Sequence, residues 1–145
     1  MVDDKRKSME IRDLYETVLN RAHFLDAPDQ ALLEQVLGRG VRPIEVAKVA
    51  GLSTRTVQRR VRQLTRRLLD PRVEHVLRNY HQWPSPLSQI ALAVWARQWS
   101  LRTTADRMNL SLHQVRQHVA AVRGLIDAGL PRRRRRRRAV DLVRA

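Results

Sequence analysis

Residues 43–64, PIEVAKVAGLSTRTVQRRVRQL, decide the fold of this chain because they predict two short helices joined by a tight turn. Ala47 is small where a second helix would cross closely, and Gly51 suits a turn position with positive φ, where a Cβ is strained. Ser53 can cap the next helix by accepting a hydrogen bond from a backbone N–H two or three residues on. The stretch therefore has the pattern of a helix-turn-helix.

An equivalent stretch, LRTTADRMNLSLHQVRQHVAAV, lies 58 positions later at residues 101–122. Asn109 stands where the first copy has its turn glycine, and asparagine is the residue best tolerated there after glycine. Ser111 opens the pattern of a capping box. Leu52 and Leu110 hold equivalent places, and both are expected to face back across their turns. Two copies of one motif indicate an internal duplication.

The duplication extends well beyond the motif, since residues 12–69 align with residues 70–127 without a gap. Twelve of the 58 positions are identical, and most of them are apolar or small, as two copies of one core would require. The identical pairs are Glu16/Glu74, Val18/Val76, Leu19/Leu77, His23/His81, Pro28/Pro86, Val36/Val94, Arg39/Arg97, Ala47/Ala105, Leu52/Leu110, Ser53/Ser111, Val57/Val115 and Val61/Val119.

We therefore predict an all-α fold of two tandem helix-turn-helix units, with about four helices each, and a basic C-terminal tail. The predicted domains are an N-terminal extension at 1–11, the first unit at 12–69, the second unit at 70–127 and an Arg-rich tail at 128–145. Helical periodicity in the first unit predicts helices at about residues 8–23, 26–37 and 54–69.

Composition narrows the class of protein. The chain has no cysteine, which excludes disulfides and cysteine-ligated zinc fingers. No apolar run approaches the roughly 20 residues of a membrane span, and the N-terminus lacks the apolar stretch of a signal peptide. We expect a cytoplasmic, nucleoid-associated protein with no membrane partner.

The net charge of +15 is unevenly distributed, at +5 for residues 12–69, +3 for residues 70–127 and +7 for residues 128–145. Only three of the 29 basic residues are lysine. Arginine suits forked contacts to phosphate and guanine, although the codons of a GC-rich genome would explain the same bias.

The second helix of a helix-turn-helix places its N-terminal residues against base edges in the major groove. The candidate DNA-contacting residues of the first unit are Thr54, Arg55, Thr56, Gln58, Arg59 and Arg62. Those of the second unit are Leu112, His113, Gln114, Arg116 and Gln117. Because the second set carries far less charge, the second unit could read bases weakly, bind a protein, or only brace the first unit.

The tail holds seven consecutive arginines, which could neutralise several phosphates and add affinity without sequence information. They are Arg132, Arg133, Arg134, Arg135, Arg136, Arg137 and Arg138. An RNA-binding arm and a dock for an acidic partner are the alternatives.

Nothing in the sequence indicates catalysis, a metal site or a cofactor. There is no nucleophile with a base, no phosphate-cradling glycine loop and no recognisable carboxylate pair. His23 and His81 recur at equivalent places, which favours a structural hydrogen bond near a helix end. Trp83, Trp95 and Trp99 match apolar residues of the first unit, so we expect them in the core and not on a base-stacking surface.

The run at residues 46–68, VAKVAGLSTRTVQRRVRQLTRRL, resembles the promoter-reading helix-turn-helix of bacterial sigma factors and those of resolvases and transposases. The resemblance covers about 23 residues and implies that Thr54, Arg55, Gln58 and Arg59 read bases. No segment resembles the promoter-melting or polymerase-clamp segments of a sigma factor, and none resembles the catalytic domain of a recombinase.

These features predict a sequence-specific double-stranded DNA-binding protein of bacterial or phage type, acting as a transcriptional regulator without enzymatic activity. One alternative is an architectural or packaging protein with little sequence preference. The other is an adaptor that binds RNA polymerase, a recombinase or another DNA-bound protein. The oligomeric state is left open.

Overall fold

The chain is predominantly helical over residues 2–131, the part that the computed structural model describes, and no β-strand occurs there. This confirms the all-α prediction. The chain divides into two compact units, of which the first ends at Leu69 and the second begins at Asp70. No helix within the described residues is long and apolar enough to cross a bilayer.

Unit 1 contains four α-helices. They are α1 (Val2–Arg21), α2 (Ala27–Leu33), α3 (Pro43–Ala50) and α4 (Thr54–Leu69). A 3-10 turn at Ala22–Phe24 follows α1, and a π turn at Glu34–Gly38 continues α2. The core is centred on α4, whose buried Val57, Val61, Leu64 and Leu68 recur at helical spacing.

Unit 2 repeats this order of elements. Its helices are α5 (Pro71–Asn79), α6 (Leu87–Ala91), α7 (Leu101–Met108) and α8 (Leu112–Gly129). A 3-10 turn at Tyr80–Gln82 follows α5, and a π turn at Leu92–Ala96 continues α6. Its large buried apolar side chains include Val76, Ile90, Val115, Val122 and Ile126.

The two units correspond in detail at an offset of 58 residues. Gly40 and Gln98 hold equivalent places after the π turns and have φ of 68° and 55°. Gly51 and Asn109, at 68° and 53°, hold equivalent places in the turns before α4 and α8. The same unusual backbone geometry therefore occurs at matching positions of both units.

Helix ends follow the local signals in the sequence. The Thr56 N–H donates to Ser53 Oγ at 3.1 Å, which confirms the predicted cap of α4. Ser111 forms a full capping box at the start of α8, as its sequence pattern predicts. Asp70 caps α5 by accepting from the Arg72 N–H at 2.8 Å.

Three expectations from the sequence are corrected. Helix α1 begins at Val2, not near residue 8, because Asp3 and Asp4 complement the helix dipole at its first turn. The segment expected to be helical at residues 26–37 changes from α to π geometry at Glu34. Leu52 does not pack into the core but is 53% exposed, and it lines an open cavity together with Ala50.

Candidate nucleic-acid interface

Helices α3 and α4 are joined by a tight turn whose geometry fixes the direction of α4. The Leu52 N–H donates to the Ala47 carbonyl at 3.0 Å, and Gly51 supplies the left-handed residue that this closure needs. Ala47 is 3% exposed, so it lies at the close approach between the two helices.

Four arginines lie on the outward face of α4, opposite its buried residues. We call Arg55, Arg59, Arg62 and Arg66 the arginine stripe; they follow each other at intervals of four, three and four residues. All four are exposed. Within residues 2–131 the structure gives them no ion pair, and α4 itself contains no acidic residue. The stripe is therefore a surface of one charge sign, suited to phosphate and to the guanine edge.

The two remaining arginines of α4 have structural contacts. Arg60 forms a two-pronged ion pair with Asp29 of α2, with nitrogen–oxygen distances of 3.0 and 2.7 Å. Arg67 is buried, and desolvation, reinforced by the nearby Arg60 charge, lowers the pKa of its guanidinium group. These two side chains belong to the packing of α4 and not to its outward face.

The structure separates the candidate residues of unit 1 into two groups. Arg55, Gln58, Arg59 and Arg62 are exposed on or beside the stripe. Thr54 and Thr56 are half-buried, and the Thr56 hydroxyl lies 2.8 Å from that of Ser53, at the start of the helix. Arg66 was missing from the predicted site, although its spacing of four residues from Arg62 places it on the same face.

The matching face of α8 is different in character. His113, Arg116 and Gln117 are exposed, but Leu112 is half-buried and Gln114 accepts from the Ser111 N–H at 2.9 Å. The positions equivalent to the arginine stripe are His113, Gln117, Ala120 and Gly124. At these positions unit 2 therefore presents two polar and two small side chains where unit 1 presents four arginines, and Arg116 is exposed beside them.

The tryptophans also fall into two groups. Trp83 and Trp95 pack against the core cluster of Val76, Ala91, Val122 and Ile126, in agreement with the prediction. Trp99 is half-buried, and the guanidinium carbons of Arg97 and Arg107 lie 5.4 and 4.4 Å from its ring centroid. The core assignment of Trp99 is thus corrected to a cation–π cluster at the surface.

The remaining sequence candidates are mostly structural or lie outside the described residues. His23 Nδ1 lies 2.9 Å from the Asn20 carbonyl, which is the kind of local hydrogen bond predicted for it. His81 instead packs edge-on against the ring of Tyr80. Among residues 2–131 no group of three His, Asp or Glu side chains is arranged to hold a metal ion. The run Arg132–Arg138 lies outside the described part of the chain.

Comparison of the chain with protein-family models, curated proteins and solved structures returned no match. The interpretation of the site therefore depends on its own residues and geometry.

Proposed function

We propose that unit 1 is a helix-turn-helix module that binds double-stranded DNA, with α4 in the major groove, and that the protein is a sequence-specific regulator. The observation that carries this proposal is the arginine stripe, an exposed row of guanidinium groups on the second helix of a tight helical turn. Arginine can bond both O6 and N7 of guanine, and the neighbouring Gln58 can pair similarly with adenine.

Roles within the stripe follow from distance along the helix. Arg55 and Arg59 lie near the N-terminus of α4, where side chains of such a helix reach base edges. Arg62 and Arg66 lie further along, where phosphate contacts are expected. In the DNA complex, the N-terminal part of α4 therefore contacts bases, and the later part of the helix contacts the phosphates of the DNA backbone.

The lack of arginine at the four equivalent positions of α8 supports a different role for unit 2. His113, Gln117, Ala120 and Gly124 offer fewer phosphate and guanine contacts than four arginines do. Unit 2 fits a role in contacting a protein, such as RNA polymerase or another DNA-bound protein, or in bracing unit 1.

The test is selection of bound sequences from a random duplex pool at near-physiological salt, where weak non-specific binding is suppressed. Enrichment of one motif is the expected result. Arg55→Ala and Arg59→Ala should then each relax the preference at one base pair, at a cost of about 1–3 kcal/mol. Retention of DNA without any enrichment would favour the architectural alternative.

Deletion of Arg132 to Arg138 distinguishes the contribution of the tail to DNA binding from that of α4. The expected result is a uniform loss of affinity on all duplexes and a shallower salt dependence, because fewer counterions are released. An unchanged salt slope would reject the phosphate role of these arginines.

A further inference from the structure

A cavity of about 600 Å³ lies in unit 1 between α2, α3 and the inner flank of α4. Its apolar wall is formed by Leu32, Val46, Ala50, Leu52 and Val57. The charged residues of the lining are Asp29 of α2 and Arg59 and Arg60 of α4. Cavities of this volume, apolar with a few polar groups, are typical of small-molecule sites.

The equivalent place in unit 2 carries a longer side chain. Met108 occupies the position of Ala50, and it packs against the buried Ile90 and Val115. Ile90 is completely buried, whereas its counterpart Leu32 in unit 1 is only partly buried. Unit 1 thus has a methyl group lining its cavity at the position where unit 2 has a packed thioether chain.

The charges around the cavity favour an anion. Both oxygens of the Asp29 carboxylate are engaged by Arg60, so that pair is internally neutral. Arg59 lines the same cavity and is exposed, with no ion pair among the described residues. A ligand with one negative charge would therefore match the lining.

We propose that this cavity binds a small amphipathic carboxylate, with its apolar body against Leu32 and Val57 and its carboxylate at the Arg59 guanidinium. The apolar part takes the place that Met108 fills in unit 2. The carboxylate supplies the partner that Arg59 lacks in unit 1. Nothing in this binding requires DNA, so the site stands apart from the function proposed above.

One consequence does rest on the proposed function. Arg59 belongs both to the cavity and to the arginine stripe, so a bound carboxylate and DNA would compete for the same guanidinium group. Occupation of the cavity would therefore lower the affinity for DNA, which is the behaviour of a ligand-controlled regulator.

The first experiment is an NMR titration of the full chain, labelled with ¹⁵N, with 2-naphthoate and separately with the neutral 2-naphthalenemethanol. Saturable shifts at Leu32, Val46 and Val57 with the carboxylate are expected, and about tenfold weaker binding of the alcohol, because it lacks the charge-assisted bond to Arg59. Equal affinities for the two compounds, or no saturable shift, would overturn the proposal.

Three variants locate the site. Ala50→Met should abolish naphthoate binding, because it introduces into unit 1 the side chain that unit 2 has at the equivalent position. Met108→Ala should open a second site beside Ile90 in unit 2. Arg59→Gln, which copies Gln117, should reduce naphthoate affinity to that of the alcohol. Because Arg59 is exposed, its variant tests the charge even if Ala50→Met proves to unfold, as judged by thermal melting. Full naphthoate binding by folded Ala50→Met or by Arg59→Gln would refute the assignment.

Competition is measured separately, with a DNA duplex and increasing naphthoate. The wild-type protein should release DNA as naphthoate saturates the cavity. The DNA affinity of the Ala50→Met variant should not change when naphthoate is added. If the protein binds no DNA at all, the proposed function fails while the NMR result on the cavity is unaffected. If the protein binds DNA but naphthoate causes no saturable NMR shift and no release of DNA, the cavity proposal alone fails.

Discussion

Helices α4 and α8 occupy equivalent places in two units of one design, yet they present opposite kinds of surface. Their buried faces match, with Val57 equivalent to Val115 and Leu64 to Val122. Their outward faces do not match, since the four exposed arginines of α4 correspond to His113, Gln117, Ala120 and Gly124 of α8. A duplicated scaffold therefore constrains what packs inside and leaves the exposed face to diverge.

The largest expected effect comes from giving α4 the outward face of α8. The variant Arg55→His, Arg59→Gln, Arg62→Ala, Arg66→Ala should bind duplex DNA about a hundredfold more weakly, with a salt slope reduced by about 0.9 for each phosphate that α4 no longer neutralises. Fluorescence anisotropy over a series of salt concentrations measures both quantities. The control removes both arginines of α8, Arg116 and Arg123, and should change the affinity little even in proportion to the charge removed. An equal drop in affinity for the two proteins would contradict the assignment of DNA binding to α4.

A second difference concerns the end of α8, which is two residues longer than the matching part of α4. A Cβ at Gly129 would fall within the ring of His75, so Gly129→Ala should destabilise the protein by about 1–3 kcal/mol. Gly124 has open space around it, and Gly124→Ala should stabilise the same helix by about 0.5–1 kcal/mol. Urea unfolding compares the two, and a shift of the same sign in both would refute the steric explanation.

The turns before α4 and α8 offer a smaller contrast. Gly51→Val should cost about 1–2 kcal/mol, because a β-branched residue is strained at the φ of 68° found there. Gly51→Asn should cost less, since Asn109 already adopts this conformation in unit 2. Thermal melting of both variants measures the difference, and equal destabilisation would show that the turn differs between the units.

The smallest effect is expected from the ion pair that unit 2 lacks, where Leu87 and His118 replace Asp29 and Arg60. A double-mutant cycle with Asp29→Leu and Arg60→His should give a coupling of about 0.5–1 kcal/mol. This coupling energy is small because the Arg60 side chain is 41% exposed and solvent screens the ion pair. Urea unfolding at two ionic strengths measures it. A coupling of zero at low salt would mean that the pair does not hold α2 to α4.

Much of the local structure could be predicted from the sequence because its causes lie within a few residues. The bounds of α4, the cap at Ser53 and the capping box at Ser111 are each decided by groups three or four positions apart. The candidates Arg55, Gln58, Arg59 and Arg62 could be placed on the outward face for the same reason, since helical periodicity fixes them relative to Val57.

Other features could not be predicted, because they depend on residues far apart in the chain. The pairing of Arg60 with Asp29 spans 31 positions, and it alone distinguishes Arg60 from the exposed Arg59 beside it. The position of Trp99 beside Arg107 requires the turn after the π segment to meet the last turn of α7. Periodicity within one helix contains no information about such contacts.

The sequence by itself determined the helices, their caps and turns, and the correspondence of two 58-residue units, because these follow from backbone propensity and apolar spacing. Tertiary structure alone decided that Arg60 pairs with Asp29, and that a cavity lies beside Ala50 whereas Met108 packs against the core of unit 2. A cavity is what remains when several helices have packed, so its existence depends on the shapes of all of them together.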